Sequence, residues 1–280
     1  MLMKKIGFLL ATILFSTITS SFSQTSTHQY INSLNPKINV SFVVHKLESP
    51  TSGIARLSTK ITPSASLIKI PILTAFLEKV EQGTLSMDDI HIIQEDEIVG
   101  GAGELQHHGS NQSVTLGFLA AEMIRTSDNT ATNILINYLG MPWINQRIQD
   151  YGLQQTSLNR LMMDFQAIEE GKQNYTSAMD LVLLLEAVWN GEILNDESKV
   201  IFLNLLQNCE DKSLIAEAVP TYTSYNKTGT LDYVRGDAAI LQSGNQTLIM
   251  SIIVEGFDEL EHAEEIIRNI ATQLEKEIRQ

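Results

Sequence analysis

The sequence predicts an α/β (α+β) three-layer sandwich: one antiparallel sheet built from both chain ends, terminal helices beside it, and an inserted all-helical domain. Three observations predict it. Runs rich in β-branched and aromatic residues are confined to Ile38–Lys46 and to the stretch after Pro220. Between them the apolar residues recur at helical spacing. Ser243-Gly244-Asn245 forms a hairpin turn, which makes the strands on either side of it antiparallel. The predicted boundaries are residues 24–60 with 221–280 for the α/β domain, and 61–220 for the helical one.

The elements follow in order. Lys4 and Lys5 head an apolar run from Ile6 to Ile18, and Ser21-Phe22-Ser23 supplies small residues at the cleavage positions, so residues 1–23 read as an export signal. That run is shorter than the about 20 residues a bilayer core requires, and no membrane anchor is expected. Ile38–Lys46 and Gly53–Ser58 read as strands. From Ser66 on, Leu67, Ile68, Ile70, Ile72, Leu73, Phe76, Leu77 and Val80 describe a helix apolar on nearly every side, stopped at Gly83 and bent early by Pro71. Helices are predicted at Thr115–Arg125, Asn129–Leu139, Trp143–Tyr151, Thr176–Trp189 and Asp196–Gln207. Ser127 or Asp128, Thr176 and Asp196 are the expected N-caps. Residues 95–113 and 158–175 read as loops. Tyr222–Lys227, Gly236–Leu241 and Gln246–Glu255 read as strands, and Asp258–Arg279 as a helix with one apolar stripe.

Composition narrows the function classes. Of 280 residues 43% are hydrophobic and 19% charged, with 16 Gly and 6 Pro, which excludes a disordered or collagen-like chain. Lys plus Arg number 19 against 33 Asp plus Glu, a net charge of -14, which repels nucleic acid and anionic membranes. Cys209 is the only cysteine, so no intramolecular disulfide, thiolate zinc cluster or iron–sulfur site forms. No cofactor is expected, and no metal.

Three short motifs carry chemistry. Ser66-Leu67-Ile68-Lys69 sets a hydroxyl and an amine three residues apart on one helix face. A serine needs an adjacent base to act as a nucleophile, and a desolvated lysine becomes one. Taken alone, the pair also fits an N-cap serine and a snorkelling lysine, and the same spacing recurs at Ser224–Lys227. Ser127-Asp128-Asn129 offers a second hydroxyl to relay a proton and an amide to hold a carbonyl, or simply a helix cap. Lys227-Thr228-Gly229 offers a fixed cation for an anionic substrate, one that also disfavours a charge on Lys69. Gly229 leaves room for a ligand against the strand, and the same triplet also fits an edge strand with a turn glycine.

In this order and combination the three motifs resemble the serine penicillin-recognising enzymes, and most closely the class A β-lactamase family. The resemblance covers essentially the whole chain after the signal and implies a β-lactamase/transpeptidase-like fold. It implies that Ser66 is the acylated nucleophile, Lys69 its partner and Ser127 the proton relay. Asn129 would touch the substrate's side-chain carbonyl and Lys69. Lys227, Thr228 and Thr230 would bind the substrate carboxylate, and the backbone N–H groups of Ser66 and Thr230 would form the oxyanion hole. Arg235 matches either an assisting carboxylate-binding arginine or a surface arginine on the neighbouring strand. A monomer acting on a small β-lactam or peptidoglycan-like substrate is implied as well.

One departure from the family pattern is plain. The family's E-x-x-L-N signature supplies a glutamate that activates the deacylating water. Anchored on Arg160, the present stretch puts Met162 at the glutamate and Gln166 at the asparagine. Asp164, Glu169 and Glu170 are out of register and read as solvated loop charges. Formation of the acyl-serine is intact in this pattern, whereas its hydrolysis lacks its usual base. Two function classes stay open: a β-lactam hydrolase, or a peptidoglycan peptidase or esterase using the same serine, against a penicillin-binding acceptor that acylates and stalls. The adjacent His107 and His108 diverge on a regular element and have no third partner at ligand spacing, so with Glu104 they read as a polar loop rather than a metal site, and Trp143 and Trp189 read as core.

Overall fold

A computed structural model describes residues 25–49 and 53–279. The predicted export signal, residues 1–23, lies outside the described residues. The chain divides into two units, Met1–Leu34 and Asn35–Gln280. In the first, helix α1 (Ser26–Ser33) is N-capped by Thr25, whose hydroxyl accepts from His28 N at 3.3 Å.

The second unit opens with strands β1 (Asn39–Lys46), β2 (Gly53–Arg56) and the two-residue β3 (Thr62–Pro63). A 3-10 turn, Ala65–Ile68, then leads directly into α2 (Lys69–Glu81). Every side chain of α2 from Lys69 to Glu78 is buried, as its all-round apolar pattern requires. Because α2 starts at Lys69, Pro71 falls in its first turn, where a missing N–H costs no bond within α2.

The helical stretch continues with β4 (Ile90–Ile92), β5 (Ser113–Thr115), α3 (Leu116–Arg125), α4 (Asn129–Leu139), α5 (Met141–Asp150) and α6 (Phe165–Glu169). After β6 (Tyr175–Thr176) come α7 (Ala178–Trp189), α8 (Asp196–Gln207) and α9 (Ile215–Ala218). Of the two residues expected to cap α4, Asp128 does so; the other two caps differ from expectation by one residue. Asn195 caps α8, and Ser177 caps α7, because Thr176 is engaged in β6 opposite Thr62. Trp143 and Trp189 are half-buried rather than core, each roofed by a lysine ammonium, Lys79 and Lys199 respectively.

Strands β7 (Thr223–Leu231), β8 (Val234–Ser243) and β9 (Gln246–Glu255) precede the final helix α10 (Leu260–Arg279). The main sheet is antiparallel, in the order β2-β1-β9-β8-β7, so the two ends of the chain meet where Asn39 pairs with Glu255. β8 and β9 are buried at nearly every position, which means both sheet faces are covered. α10 lays Ala263, Ile266, Ile267, Ile270, Ala271, Leu274 and Ile278 inward. Among the described residues no helix is long and apolar enough to cross a membrane. No group of three or more His, Cys, Asp or Glu there could hold a metal ion.

Candidate active site

Ser66 sits in the 3-10 turn before α2. In a 3-10 turn residues three apart eclipse one another, so Ser66 and Lys69 are stacked. Lys69 Nζ lies 3.1 Å from Ser66 Oγ. The same nitrogen lies 3.1 Å from Ser127 Oγ, and it donates to Ser127 O at 2.6 Å and to Asn129 Oδ1 at 3.0 Å. One fully buried amine therefore gathers both serines and the amide. Burial pushes its pKa well below the usual lysine range; the charge on Lys227 pushes the same way and Asp128 opposes.

Ser127 reaches Lys69 with both its oxygens because its backbone is left-handed, with φ of +60°, at the junction of α3 and α4. Asp128 holds that junction. Its Oδ1 accepts from Ala131 N at 2.8 Å, as the cap of α4, and its Oδ2 accepts from Leu105 N at 2.8 Å. Gly103, at φ of +104°, leans on it so closely that a Cβ there would stand 2.1 Å from Asp128 Oδ2.

β7 forms the opposite wall. Ser66, Ser127, Lys227, Thr228, Gly229 and Thr230 line one cleft of about 330 Å³, at the lower end of the range for ligand sites. Lys227 is 1% exposed, burial lowers its pKa, and it donates to Thr228 O at 2.9 Å. Gly229 faces the Ser66 turn itself: a Cβ there would come within 3.1 Å of Ser66 N, Ala65 Cβ and Leu67 Cγ. The space its missing side chain leaves is thus filled by that turn and not, as the sequence suggested, by a ligand.

Two predicted binding residues lie behind the cleft. Asn129 is buried, with its Oδ1 taken by Lys69 and its Nδ2 donating to Gly100 O at 3.1 Å. Arg235 is neither a surface arginine nor a free anion binder. Only 4% exposed, it pairs with Asp211 at 2.9 Å and Glu264 at 2.7 Å, and donates to Thr230 Oγ1 at 2.6 Å. Burial would raise the Asp211 pKa, but the Ser213 hydroxyl and Arg235 outweigh it and pull the carboxyl down to about 2.

The loop before β6 carries no acid into the cleft. Met162 is buried, and its backbone is clasped by Asn133, which accepts from Met162 N at 2.8 Å and donates to Met162 O at 3.1 Å. Asp164 caps α6 by accepting from Ala167 N at 3.0 Å. Glu169 and Glu170 are exposed, and Glu170 pairs with Lys172. Sequence reasoning missed the Asn133 clasp, the Asp128–Leu105 bond and the Asp211–Arg235 pair. Each joins segments distant in sequence; only Asp128, adjacent to Ser127, carried a local signal.

The profile described as the beta-lactamase enzyme family matches residues 26–278. The chain is 31% identical over 201 residues to Beta-lactamase ROB-1 of Haemophilus influenzae, covering 70% of this chain and 65% of that one. It thus spans just under two thirds of the ROB-1 length. A beta-lactamase of Rhodobacter capsulatus is 28% identical over 214 residues, covering 74% of this chain and 70% of that one. Among solved structures, PBP-A superposes with a TM-score of 0.83 at 28% identity, covering 90% of this chain and 94% of that one. A point mutant of PBP-A, solved as an acyl-enzyme complex with penicillin G, superposes with a TM-score of 0.82 at 28% identity, with the same coverage.

Proposed function

The chain belongs to the beta-lactamase enzyme family, and from that premise we propose that it is a serine hydrolase that opens β-lactams through an acyl-enzyme on Ser66. The observation that carries the reading is the buried Lys69 amine 3.1 Å from the hydroxyls of both Ser66 and Ser127. Deprotonated, Lys69 directs its two N–H groups at carbonyl oxygens, those of Ser127 and Asn129, and its lone pair at the hydroxyls. It removes the Ser66 proton as Oγ attacks the lactam carbonyl carbon. The oxyanion is met by the N–H groups of Ser66 and Thr230, which the close packing of Gly229 on the Ser66 turn brings together. The C–N bond breaks as Ser127 gives its hydroxyl proton to the leaving nitrogen and takes from Lys69 the proton removed from Ser66. Lys227 and Thr228 hold the substrate carboxylate, while Arg235, already paired with two carboxylates, orients Thr230.

Hydrolysis of the ester needs a second base. A methionine thioether accepts no proton, and general-base catalysis typically contributes ~100- to 10,000-fold, so deacylation is the slow step. The locked Met162 backbone and the absence of any carboxylate of residues 160–170 from the cleft lining favour one second reading: a penicillin-binding acceptor that acylates without turnover. A peptidoglycan D,D-peptidase or esterase would use the same serine on a different donor.

Incubation of the protein with a chromogenic cephalosporin, following colour and intact mass together, separates these. Continuous colour is expected of the hydrolase. One equivalent of colour with a persistent adduct identifies the acceptor, and neither colour nor adduct leaves only the peptidase or esterase. Ser66→Ala is expected to abolish any adduct with the fold unchanged by circular dichroism; an adduct surviving in that variant removes Ser66 from its role.

A further inference from the structure

Besides Ser66 and Ser127 the cleft has a charged arm in its lining, made of Glu104, Arg125, Glu210 and Asp211. The charges along this arm are unequally matched. Arg125 is engaged by Glu122 at 2.7 Å and by Glu210, and Asp211 is engaged by Arg235. Glu104 is exposed and makes no ion pair among the described residues. Its position is nonetheless fixed, because both neighbours are pinned to the Ser127–Asp128 junction. Gly103 packs against Asp128 with no room for a side chain, and Leu105 N donates to Asp128 Oδ2 at 2.8 Å. On the β7 side the Lys227 ammonium donates only to Thr228 O among the described residues, which leaves it donors for an anion.

We propose that Glu104 sets specificity for the leaving-group half of the acyl donor, favouring donors that carry a cation there beside their carboxylate. The inference rests on the reading that Ser66 is acylated and that Ser127 protonates the leaving nitrogen. Glu104 follows Gly103, which packs on Asp128 beside Ser127, so a group attached to the leaving nitrogen enters the part of the cleft that Glu104 lines. That half of the substrate meets an ammonium on β7 and an unanswered carboxylate on the loop before α3. A zwitterionic leaving group complements both. A neutral one leaves Glu104 to water, and a second anion is repelled. The attraction acts across a partly solvated gap, so its size is that of an exposed charge pair, about two- to fivefold in rate. It is screened by salt, since the Debye length falls to about 3 Å at 1 M.

The test uses two cephalosporins that share one 7-acyl group, one bearing a neutral acetoxymethyl and the other a pyridiniomethyl group at C3. Second-order rate constants for formation of the Ser66 adduct are measured by intact mass after rapid quenching, in wild type, Glu104→Gln and Glu169→Gln. Glu169 is exposed on α6 and does not line the cleft, so it controls for the overall negative charge of the chain. The preference for the pyridinium compound is expected to fall about two- to fivefold in Glu104→Gln, to persist in Glu169→Gln, and to shrink in wild type at high salt. A ratio unmoved by Glu104→Gln, or lowered equally by Glu169→Gln, overturns the inference while leaving the Ser66 chemistry standing. The absence of both a Ser66 adduct and turnover, with either compound, overturns the proposed function and this inference with it.

Discussion

At the scale of single residues, the missing base is the most direct target. Asn133 grips the backbone of Met162 from both sides, so a new side chain there inherits a fixed point of attachment. Met162→Glu is therefore expected to shorten the life of the penicillin adduct by up to ~1,000-fold, within the usual reach of a general base. Time-resolved intact mass measures this, and an adduct as durable as that of wild type would show that position 162 does not reach the deacylating water. The motif residues were legible because hydroxyl, amine and amide each announce a chemistry at fixed spacing. Arg235 was legible only as an arginine: its neutralisation by Glu264 depends on a helix that follows it in the chain and packs behind it.

At the scale of elements, the site depends on how closely the Ser66 turn and β7 approach. The Gly229 Cβ position lies 3.1 Å from Ser66 N, tighter than ordinary contact. Gly229→Ala is expected to displace the turn by a few tenths of an ångström and to slow acylation by about tenfold, since misplacement of reacting groups is costly. The melting temperature should move by only about 2–4 °C. Equal acylation rates in variant and wild type would show that the turn yields elsewhere. Long elements with strong periodicity, α4, α8, β9 and α10, follow from the sequence to within two residues at most, and α2 starts three residues after Ser66 because a 3-10 turn precedes it. The short ones do not. β3 and β6 are two residues each and α9 is four, too brief to show any period, and β4 and β5 exist only because they pair with each other.

At the scale of the whole molecule, stability carries a buried acid. Asp237 on β8 is fully buried; its carboxyl accepts from Asn226 Nδ2 at 3.2 Å and from Ile215 N at 3.1 Å, tying the sheet to α9. Burial, reinforced by Asp211, pushes its pKa up to about 7. The folded state then binds more protons than the unfolded one between about pH 4 and 7, so this group lowers stability as pH rises through that window, by up to about 4 kcal/mol. Urea denaturation at pH 5.5 and 7.5 should show the loss in wild type and a much smaller one in Asp237→Asn. Equal slopes in both proteins would clear Asp237 of the effect. The fold class was legible because strand-like composition occupies both chain ends. The sheet order was not, since composition does not say which strands are neighbours. That order has a consequence in time. β1 is synthesised long before its partner β9, so the hydrogen-bonding edge of β1 facing β9 stays unpaired until the whole intervening helical stretch and β9 itself are available. Such distant pairing makes for slow folding, and until it closes, the apolar β1 is an open template for aggregation.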